Sequence, residues 1–561
     1  MSTAETACHS TPEQAGLRVE NLPFAQIPQQ TRLFLDYLDD PSKLRRFYPE
    51  AVKHHYELPE RRDRVLTNYL TNRAALCDAL ERMNRAWRAS RQTLDNINRL
   101  REVDCIAVVS GQQAGLFGGP LYTVYKALSA VKLAECLAQR GIKIVPVFWI
   151  ATEDHDFAEV AQAGFINRDC MFNTVGIAEQ IHTDRLPVGH VTLDQSIETT
   201  VQSLLSSLPK TEFTDDLETL LRDSYGPGKK FGDAFAQIMT ALLGHKGLIL
   251  VDPLDLELKK LAAPIYADAA DHAHEIAAAI VARSRDLEAA GYHAQVTPTD
   301  DCFPLFIHDE NGARRALVRN SRGKYHAKGD GQDYSADEIA GWTLREPERF
   351  SPSVNLRSVV QDFLFPTIAY YGGSAEIVYF GQISEVYRIL ERPVTPILPR
   401  FSLTFVEKHT WRALERYGIR LQDFFGGADH VIAQVVAGYL GQETSAAFEH
   451  TTETFNKELD GLQQQLKRVD PTLADALEKG RRKINYQIDG LRTRFNRAQV
   501  ARDEAVQRQL EHAADLLYPE KTLQERRLNI TSLLARHGRY VIDWIFDAID
   551  LDSNQHEIVY L

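Results

Sequence analysis

The sequence predicts an α/β fold in which a core of parallel strands is joined to an antiparallel helical coiled coil. Two observations predict it. Residues 104–156 run from a short apolar stretch through a glycine-rich loop and a helical pattern to a second apolar stretch, which is the order of a β–α–β unit. Residues 455–498 carry apolar side chains at steps of three and four, which is the spacing of a coiled-coil seam.

The β–α–β unit can be placed residue by residue. A strand is predicted at Cys105–Val109, because this run is apolar and β-branched, as in a strand that is buried on both faces. The apolar spacing predicts a helix over Leu121–Gln139, with Gly141 just past its end. Lys143–Ile150 is predicted to be the second strand. Ligands of parallel sheets bind where the strands end, so we expect the polar residues after the two strands to lie together.

The helical part follows from its heptads and from one interruption. Asp470–Pro471 separates two seams, and Asp is a good N-cap while Pro suits the first helical position. We therefore predict two helices that turn back on each other. The domain prediction is a core at 1–392 with insertions at about 165–230 and 295–350, a coiled-coil domain at 393–518, and a segment at 519–561 that returns to the core.

Composition narrows the class of protein. At 561 residues the chain has room for roughly two to four domains. Its net charge of −13 argues against a general binder of nucleic acid or of anionic membranes. No apolar run is long enough for a transmembrane helix, and no secretory leader is visible. The six scattered cysteines are interpreted as free thiols, and a cytoplasmic protein is expected.

The loop Gly111–Gly119 opens the predicted helix and is the first candidate site. Backbone N–H groups at a helix N-terminus attract anions, and Gln112, Gln113 and Tyr122 add polar side chains. The loop lacks both the dinucleotide fingerprint and the Walker A frame. The alternative is a tight strand–helix turn that needs glycines for its backbone geometry.

The second candidate is the acidic cluster Glu153–Asp156, which follows the second strand. It could bind an amine or a polyol, supply a base, or ligate a metal. The spacing is not that of a zinc site, so Asp154 and His155 are predicted to lie near substrate without a tightly bound metal. The alternative for Asp156 is a cap on the following helix.

Two further polar sets come later in the chain. One surrounds Gly372–Gly373, and Arg400 belongs to the other because a guanidinium can bind a phosphate or a carboxylate. The alternative for these residues is ordinary helix capping and surface. The set around the glycines comprises Asn355, Arg357, Gln361, Glu376 and Tyr379.

Several segments resemble the bacillithiol-biosynthesis cysteine-adding enzyme family, BshC, from about residue 20 to the end. They are SGQQAGLFGGPLYTVYKALSA (110–130), PVFWIATEDHDFAEV (146–160), GYHAQV (291–296), SPSVNLRSVVQDFLFPTIAYYGGSAEIVYFGQ (351–382), PILPRFS (396–402) and HEIVYL (556–561). The resemblance implies a Rossmann-like nucleotidyltransferase-type core with connecting-peptide insertions, and a coiled coil that forms a homodimer. It also implies a cysteine ligase that joins L-cysteine to the amine of glucosaminyl-malate in the last step of bacillithiol synthesis. The HIGH and KMSKS signatures of class I adenylating enzymes are absent in clear form.

The resemblance also suggests roles for the candidate residues, with ATP or ADP as the expected nucleotide. Gly111, Gly118 and Gly119 would hold a phosphate or a carboxylate, and Asp154 or His155 would orient the amine or take its proton. Lys126 and Arg400 would balance anionic charge, whereas Glu376 would hold the cysteine ammonium. Gly373, Trp149 and Glu153 complete the expected binding set. The rival hypothesis is a non-catalytic, coiled-coil dimeric partner protein that binds a nucleotide.

Overall fold

The computed structural model describes residues 18–177, 185–296, 299–327, 332–439, 442–500 and 504–561. They form two compact units. The larger contains the described residues up to Arg168 together with Asn173–Thr404 and Glu525–Val559. The smaller consists of Asp169–Phe172, Phe405–Gln524 and Tyr560–Leu561. The predicted domain bounds at 392 and 518 stay predictions.

The strands, in chain order, are β1 (Arg18–Leu22), β2 (Ile106–Gln112), β3 (Ile144–Ile150), β4 (Gln162–Ile166), β5 (Phe172–Gly176), β6 (Ile249–Val251), β7 (Cys302–His308), β8 (Arg314–Arg319), β9 (Tyr325–Ala327), β10 (Phe350–Pro352), β11 (Thr367–Gly372), β12 (Ile397–Pro399), β13 (Leu403–Val406) and β14 (His556–Tyr560).

The α-helices are α1 (Arg32–Asp39), α2 (Arg62–Thr67), α3 (Arg73–Ala86), α4 (Arg91–Leu100), α5 (Leu121–Gln139), α6 (Phe157–Val160), α7 (Ser196–Ser207), α8 (Thr214–Ser224), α9 (Phe231–Leu243), α10 (Leu256–Asp271), α11 (Ala273–Ala289), α12 (Ala336–Arg345), α13 (Val354–Leu364), α14 (Ser374–Ile389), α15 (Lys408–Tyr417), α16 (Ala428–Tyr439), α17 (Gln442–Val469), α18 (Pro471–Val500), α19 (Glu504–Leu517), α20 (Gln524–Arg527), α21 (Thr531–His537) and α22 (Tyr540–Ala548).

A five-stranded parallel sheet, in the order β12–β11–β2–β3–β6, forms the centre of the larger unit. The strands β2 and β3 are buried almost throughout, as their apolar, β-branched sequences predict. β2 and β3 stay in register from Ile106↔Ile144 to Gln112↔Ile150. The predicted α/β class with a parallel sheet is confirmed. The first strand is longer than predicted, because its pairing with β3 continues to Gln112.

The carboxyl ends of β2, β3 and β11 lie side by side, as expected for a parallel sheet. Tyr371 on β11 pairs with Ser110 on β2, and Gly111 pairs with Trp149 on β3. β12 lies at one edge of the sheet. A Pro-rich segment can form this strand because an edge strand pairs on one side only, so the missing N–H groups of its prolines do not remove hydrogen bonds from the centre of the sheet. The polar loops that follow these strands are thereby brought together.

An antiparallel sheet in the order β10–β7–β8–β9 forms the later insertion. The turn between β7 and β8 is built on Asp309, whose carboxylate accepts from the N–H groups of Asn311 at 3.0 Å and Ala313 at 2.9 Å. Gly312 has a φ of 80°, which glycine adopts without strain. This sheet carries Phe306, Arg314 and Pro352 to the candidate site.

The predicted pair of long helices is confirmed as α17 and α18 in the smaller unit. Asp470 lies at the turn between them, and its carboxylate accepts from the Thr472 N–H at 2.8 Å. Polar bonds join the helices: Arg481 pairs with Asp460 at 2.6 Å, and Asn485 donates to Asn456 at 3.2 Å.

Two further findings concern the hydropathy of the helices and the state of the cysteines among the described residues. None of the helices in the described ranges is long and apolar enough to cross a membrane. Cys77, Cys105, Cys170 and Cys302 are free thiols, whereas Cys136 is disulfide-bonded, so the prediction of six free thiols is wrong at Cys136.

Candidate active site

A cavity of about 520 Å³ opens at the carboxyl ends of β2, β3 and β11 in the larger unit. Most of the residues predicted from the sequence line it, although they come from four separate parts of the chain. These are Gly111, Gln112, Gln113, Tyr122, Lys126, Trp149, Glu153, Asp154, Arg357, Gly373, Glu376, Tyr379 and Arg400. The structure thus gathers residues from all four predicted polar sets into one place.

Asp154 provides a carboxylate on one side of the cavity. Its Oδ2 accepts from Gln113 Nε2 at 2.6 Å, and its Oδ1 accepts from the backbone N–H of His155 at 2.7 Å. Gln113 also donates to Glu159 at 2.9 Å, so the amide side chain is itself held in place. Asp154 is about one-third exposed and makes no ion pair with a lysine or arginine in the described chain. It is therefore a carboxylate that a substrate can reach.

Glu153 is buried and already has a cationic partner. Its carboxylate pairs with the ammonium of Lys259, which also donates to the Phe350 carbonyl at 2.6 Å. The two side chains are only 7% and 1% exposed. Because Glu153 is committed to this buried ion pair, it stabilises the wall more than it acts as a base. Among the described residues no three His, Cys, Asp or Glu side chains gather into a metal-binding group.

A second buried pair joins Lys126 on α5 to Glu376 on α14. The Lys126 ammonium also donates to the Gly111 carbonyl at 3.0 Å and to Gln112 Oε1 at 2.8 Å. Burial lowers the pKa of Lys126 in spite of the nearby carboxylate. Three acceptors take its three donors, so Lys126 fixes the end of β2 in place and has no N–H left for a substrate.

Glu376 is engaged on both oxygens. Burial would raise its pKa, but the Lys126 ammonium and the hydrogen bond from the Gly373 N–H at 2.8 Å hold the pKa below its ordinary value. Tyr370 donates to its other oxygen at 2.6 Å. An ionised carboxylate has about four acceptor positions, so about one remains for a ligand.

Arg357 forms an aromatic and cationic side of the cavity. Its guanidinium lies over the Tyr370 ring at 5.4 Å and donates to the Tyr379 hydroxyl at 3.1 Å. It also donates to Gln361 at 3.2 Å. The pKa of Arg357 lies above its ordinary value although burial opposes this, because the two tyrosines and Glu376 favour the charged form. The group is a permanent cation at the cavity.

Arg400 lines the cavity but is committed to a protein carboxylate. Its two terminal nitrogens donate to Glu525 at 2.6 and 3.0 Å, a bidentate pair in which the side chains are 8% and 1% exposed. The guanidinium lies over the Tyr122 ring at 5.3 Å. The predicted anion contact is therefore limited to the edge of Arg400 that faces away from Glu525.

His155 does not line the cavity, in contrast to the prediction. Arg185 lies 3.0 Å from its Nε2 and Arg314 lies 3.4 Å from its Nδ1. Burial and these two guanidinium groups lower the pKa of His155, so the imidazole is neutral at pH 7. Arg314 itself lines the cavity, stacks on Phe306 at 3.8 Å, and donates to the Pro352 carbonyl at 2.8 Å.

Trp149 lines the cavity with a side chain that is almost completely buried. The side chain is 1% exposed, and its Nε1–H has no hydrogen-bond partner among the residues that the structure describes. Gly111 lies against the same residue: a Cβ on Gly111 would sit 2.6 Å from the Trp149 carbonyl oxygen. Only glycine permits this approach of β2 to β3, which positions the indole at the cavity.

Gly118 and Gly119 lie outside the cavity, which corrects their expected placement. The side-chain amide of Asn529 donates to the carbonyls of Leu116, Phe117 and Gly119 at 3.1, 3.1 and 2.7 Å. The first N–H of α5, that of Leu121, donates to the Leu528 carbonyl at 2.7 Å. A C-terminal segment thus occupies the position at which the sequence predicted an anion. Gly119 has a φ of 75°, so it supplies the positive φ that the turn requires.

The last two predicted residues, Gln361 and Asn355, do not line the cavity. Gln361 is buried and accepts from Arg357, as described above. Asn355 lies in the first turn of α13 without lining the cavity, and its Oδ1 has no hydrogen-bond partner among the described residues. Asp156 caps α6 by accepting from the Glu159 N–H at 3.2 Å, as the alternative interpretation predicted.

Sequence reasoning missed several residues of the site. Tyr370 had a usable signal, because it lies just before Gly372–Gly373, around which a polar set was predicted. Arg314 and Phe306 come from the insertion, and Arg526 comes from the C-terminal segment. The return of residues 519–561 to the core was predicted, but no local sequence pattern shows that these three side chains reach the cavity.

Comparison with known proteins gives consistent matches along the chain. The model of the N-terminal Rossmann-like domain of bacillithiol biosynthesis BshC matches residues 17–401, and that of the C-terminal coiled-coil domain matches residues 403–561. Curated proteins named "Putative cysteine ligase BshC" are similar over nearly their whole length. The protein of Koribacter versatilis is 38% identical over 94% of this chain and 97% of its own. That of Solibacter usitatus is 34% identical (95% and 98%), and that of Salinibacter ruber is 32% identical (100% and 99%).

Proposed function

This chain belongs to the bacillithiol biosynthesis BshC family, and from that membership we propose that it is a ligase that joins L-cysteine to the amine of glucosaminyl-malate and consumes ATP. The observation that carries the proposal is the cavity at the strand ends. It combines a reachable carboxylate, Asp154, with the guanidinium groups of Arg314, Arg357 and Arg526. Both proposed substrates carry an amine and at least one carboxylate, which is the chemistry that such a lining recognises.

Amide formation requires an activated carboxyl group, because a free carboxylate is a poor electrophile and hydroxide is a poor leaving group. We propose that the cysteine carboxylate attacks the α- or the γ-phosphorus of ATP, which breaks a P–O bond and releases pyrophosphate or ADP, respectively. The C–N bond then forms as the amine attacks the acyl carbon, and AMP or phosphate leaves with the bonding electron pair.

The amine must lose a proton to attack, and Asp154 is the best-placed acceptor. It lines the cavity, and its only hydrogen-bond donors in the described chain are the Gln113 amide and backbone N–H groups. Glu153 is paired with Lys259, and His155 faces Arg185 and Arg314. We therefore assign general-base catalysis, or orientation of the ammonium before its deprotonation, to Asp154.

The test is to incubate the pure protein with L-cysteine, glucosaminyl-malate and ATP, and to detect a thiol-containing amide by mass spectrometry. The proposal expects amide only when ATP is present, with one AMP or one ADP formed per amide. Amide formation without ATP would overturn the activation step. Tight nucleotide binding without any amide would favour the rival hypothesis of a non-catalytic partner protein.

We also propose that the coiled coil makes a homodimer. Apolar side chains remain exposed on the helical pair: Leu462 is 43%, Leu473 42% and Leu491 59% exposed. The helical pair leaves these residues uncovered, and a second copy of the chain would bury them. The change L462E/L491E should give a monomer by sedimentation, whereas K483E, also on α18, should leave the dimer intact. A wild-type monomer would contradict the proposal.

A further inference from the structure

Arg526 is the cavity cation that the protein itself does not use. It lines the cavity, it is exposed, and its guanidinium has no hydrogen-bond or ion-pair partner among the described residues. The other arginines of the lining are all engaged. Arg357 donates to Tyr379, Arg400 to Glu525 and Arg314 to the Pro352 carbonyl.

The backbone on both sides of Arg526 is anchored. The preceding residue, Glu525, is held by the bidentate pair with Arg400 and accepts from the Leu403 N–H at 3.3 Å. Further along, the Leu528 carbonyl accepts from Leu121 at 2.7 Å. Asn529 donates its backbone N–H to the Gly164 carbonyl at 2.7 Å, in addition to the three side-chain bonds described above.

These anchors matter because a preorganised group loses little conformational freedom when it binds a ligand. An unpaired arginine on a mobile loop would be ordinary surface. Arg526 is instead presented at the cavity from a short helix that is fixed at both ends. Burial raises the pKa of Tyr122, and the charge of Arg526 is the strongest of those that oppose this shift, which places the guanidinium beside the cavity wall.

We infer that Arg526 is a specificity-determining residue that binds a carboxylate of the malyl group of the amine substrate. This inference rests on the proposed function. In glucosaminyl-malate the malyl group is attached to the sugar carbon next to the one that carries the amine. A substrate whose amine lies at Asp154 therefore carries its carboxylates only a few bonds away. Gln112 and Gln113 connect the two places, because Gln112 donates to Tyr122 at 3.3 Å and Gln113 to Asp154.

The chemistry favours a carboxylate ligand. A guanidinium whose donors are free offers a planar fork that matches a carboxylate in a bidentate manner. A charge-assisted pair of this kind is worth about ten- to hundred-fold in affinity. Arg526 should therefore separate acceptors that carry the malyl group from those that lack it.

The kinetic test compares R526Q with the wild-type protein on two acceptors, glucosaminyl-malate and methyl glucosaminide. We expect R526Q to raise KM for glucosaminyl-malate by about ten- to hundred-fold, and to leave KM for cysteine, for ATP and for methyl glucosaminide nearly unchanged. R91Q is the matched control, because Arg91 is 94% exposed on a helix that does not line the cavity. An equal change in all KM values, or none, would overturn the inference.

A binding measurement separates failure of this inference from failure of the proposed function. Calorimetry with L-malate alone needs no turnover. We expect malate to bind to the wild-type protein and to R91Q, about tenfold more weakly to R526Q, and with intermediate affinity to R526K. If the protein forms the amide but malate binds equally well to the wild-type protein and to R526Q, the proposed ligase activity is retained and the role of Arg526 is overturned. Malate binding that depends on Arg526 in a protein that forms no amide would support the carboxylate contact of Arg526 and overturn the proposed ligase activity.

Discussion

Lys126 and Glu376 form a buried ion pair that ties helix α5, which follows the first core strand, to helix α14, which follows β11. The pair lies in the cavity wall, and its hydrogen bonds reach Gly111, Gln112, Gly373 and Tyr370. Two helices from distant parts of the chain are thus fixed by one charge contact at the site where substrates are proposed to bind.

The first prediction is that K126M destabilises the protein by about 3 to 5 kcal/mol, because it leaves the Glu376 carboxylate buried without its cation. The measurement is the shift in the midpoint of urea unfolding, followed by a probe of the larger unit. K260M is the control, since Lys260 is an exposed lysine that pairs with Glu257. Equal midpoints for K126M and K260M would contradict the structural role of the pair.

The second prediction concerns Asp154. D154N keeps the shape of the side chain but cannot take a proton, so kcat should fall by about 10²- to 10⁴-fold while folding is unchanged. The matched variant is D156N, because Asp156 caps α6 and does not line the cavity. Steady-state kinetics of both variants provides the measurement. A folded D154N protein with normal turnover would remove Asp154 from the mechanism.

The third prediction concerns Asn529. In N529A the carbonyls of Phe117 and Gly119 would lose the donor that the amide supplies, whereas that of Leu116 keeps the Gly119 N–H; we expect a cost of about 3 kcal/mol. Thermal unfolding measures the loss. N554A is the comparison, because Asn554 is exposed and makes a single 3.3 Å bond to the Leu38 carbonyl. The prediction fails when the two variants lose the same small amount of stability.

The fourth prediction concerns Gly111. A Cβ at this position meets the Trp149 carbonyl oxygen at 2.6 Å, and neither backbone can move without parting β2 from β3. G111A should therefore lower both stability and kcat. G226A should do neither, because a Cβ on Gly226 meets open space. Circular dichroism melts together with kinetics make the comparison, and a wild-type-like G111A would show that the strand contact is dispensable.

The fifth prediction is a pH dependence that arises from His556. Its imidazole is buried between the hydroxyls of Ser402 and Thr404, and burial lowers its pKa to about 4. In the unfolded chain the imidazole has an ordinary pKa of about 6.5, so between pH 6.5 and pH 4 it binds a proton that it does not bind in the folded protein. The free energy of unfolding is therefore highest above pH 6.5 with respect to this group. It falls by about 3 kcal/mol as the pH drops toward 4.

H556Q isolates this contribution, because glutamine can bond to both hydroxyls but does not titrate. Unfolding free energies of the two proteins, measured from pH 7.5 to pH 4, should converge or cross as the pH falls. A gap that stays constant over this range would show that His556 does not titrate on unfolding.

The local parts of the fold could be predicted from the sequence, because local patterns determine them. The helix Leu121–Gln139 has the predicted bounds, and the strands around it shift by only a few residues. The turn at Asp470–Pro471 is another such case, since its cap and its proline act within one helical turn.

The candidate site could be predicted only in part, because its remaining features depend on long-range contacts. The glycine loop has the composition of an anion-binding loop, yet a side chain 410 positions away satisfies its carbonyls. His155 lies next to Asp154 in the sequence, but its ring faces Arg314 from the insertion. No pattern in residues 110–156 contains that information.

The central claim is that the cysteine carboxylate is activated by ATP at this cavity before the amine attacks. The most direct measurement uses cysteine labelled with ¹⁸O in both carboxylate oxygens, with mass spectrometry of the products of the wild-type protein and of D154N. We expect one ¹⁸O atom in AMP or phosphate for each amide that the wild-type protein forms, and a rate of ¹⁸O transfer that falls together with amide formation in D154N. Amide that forms while AMP and phosphate stay unlabelled would contradict it.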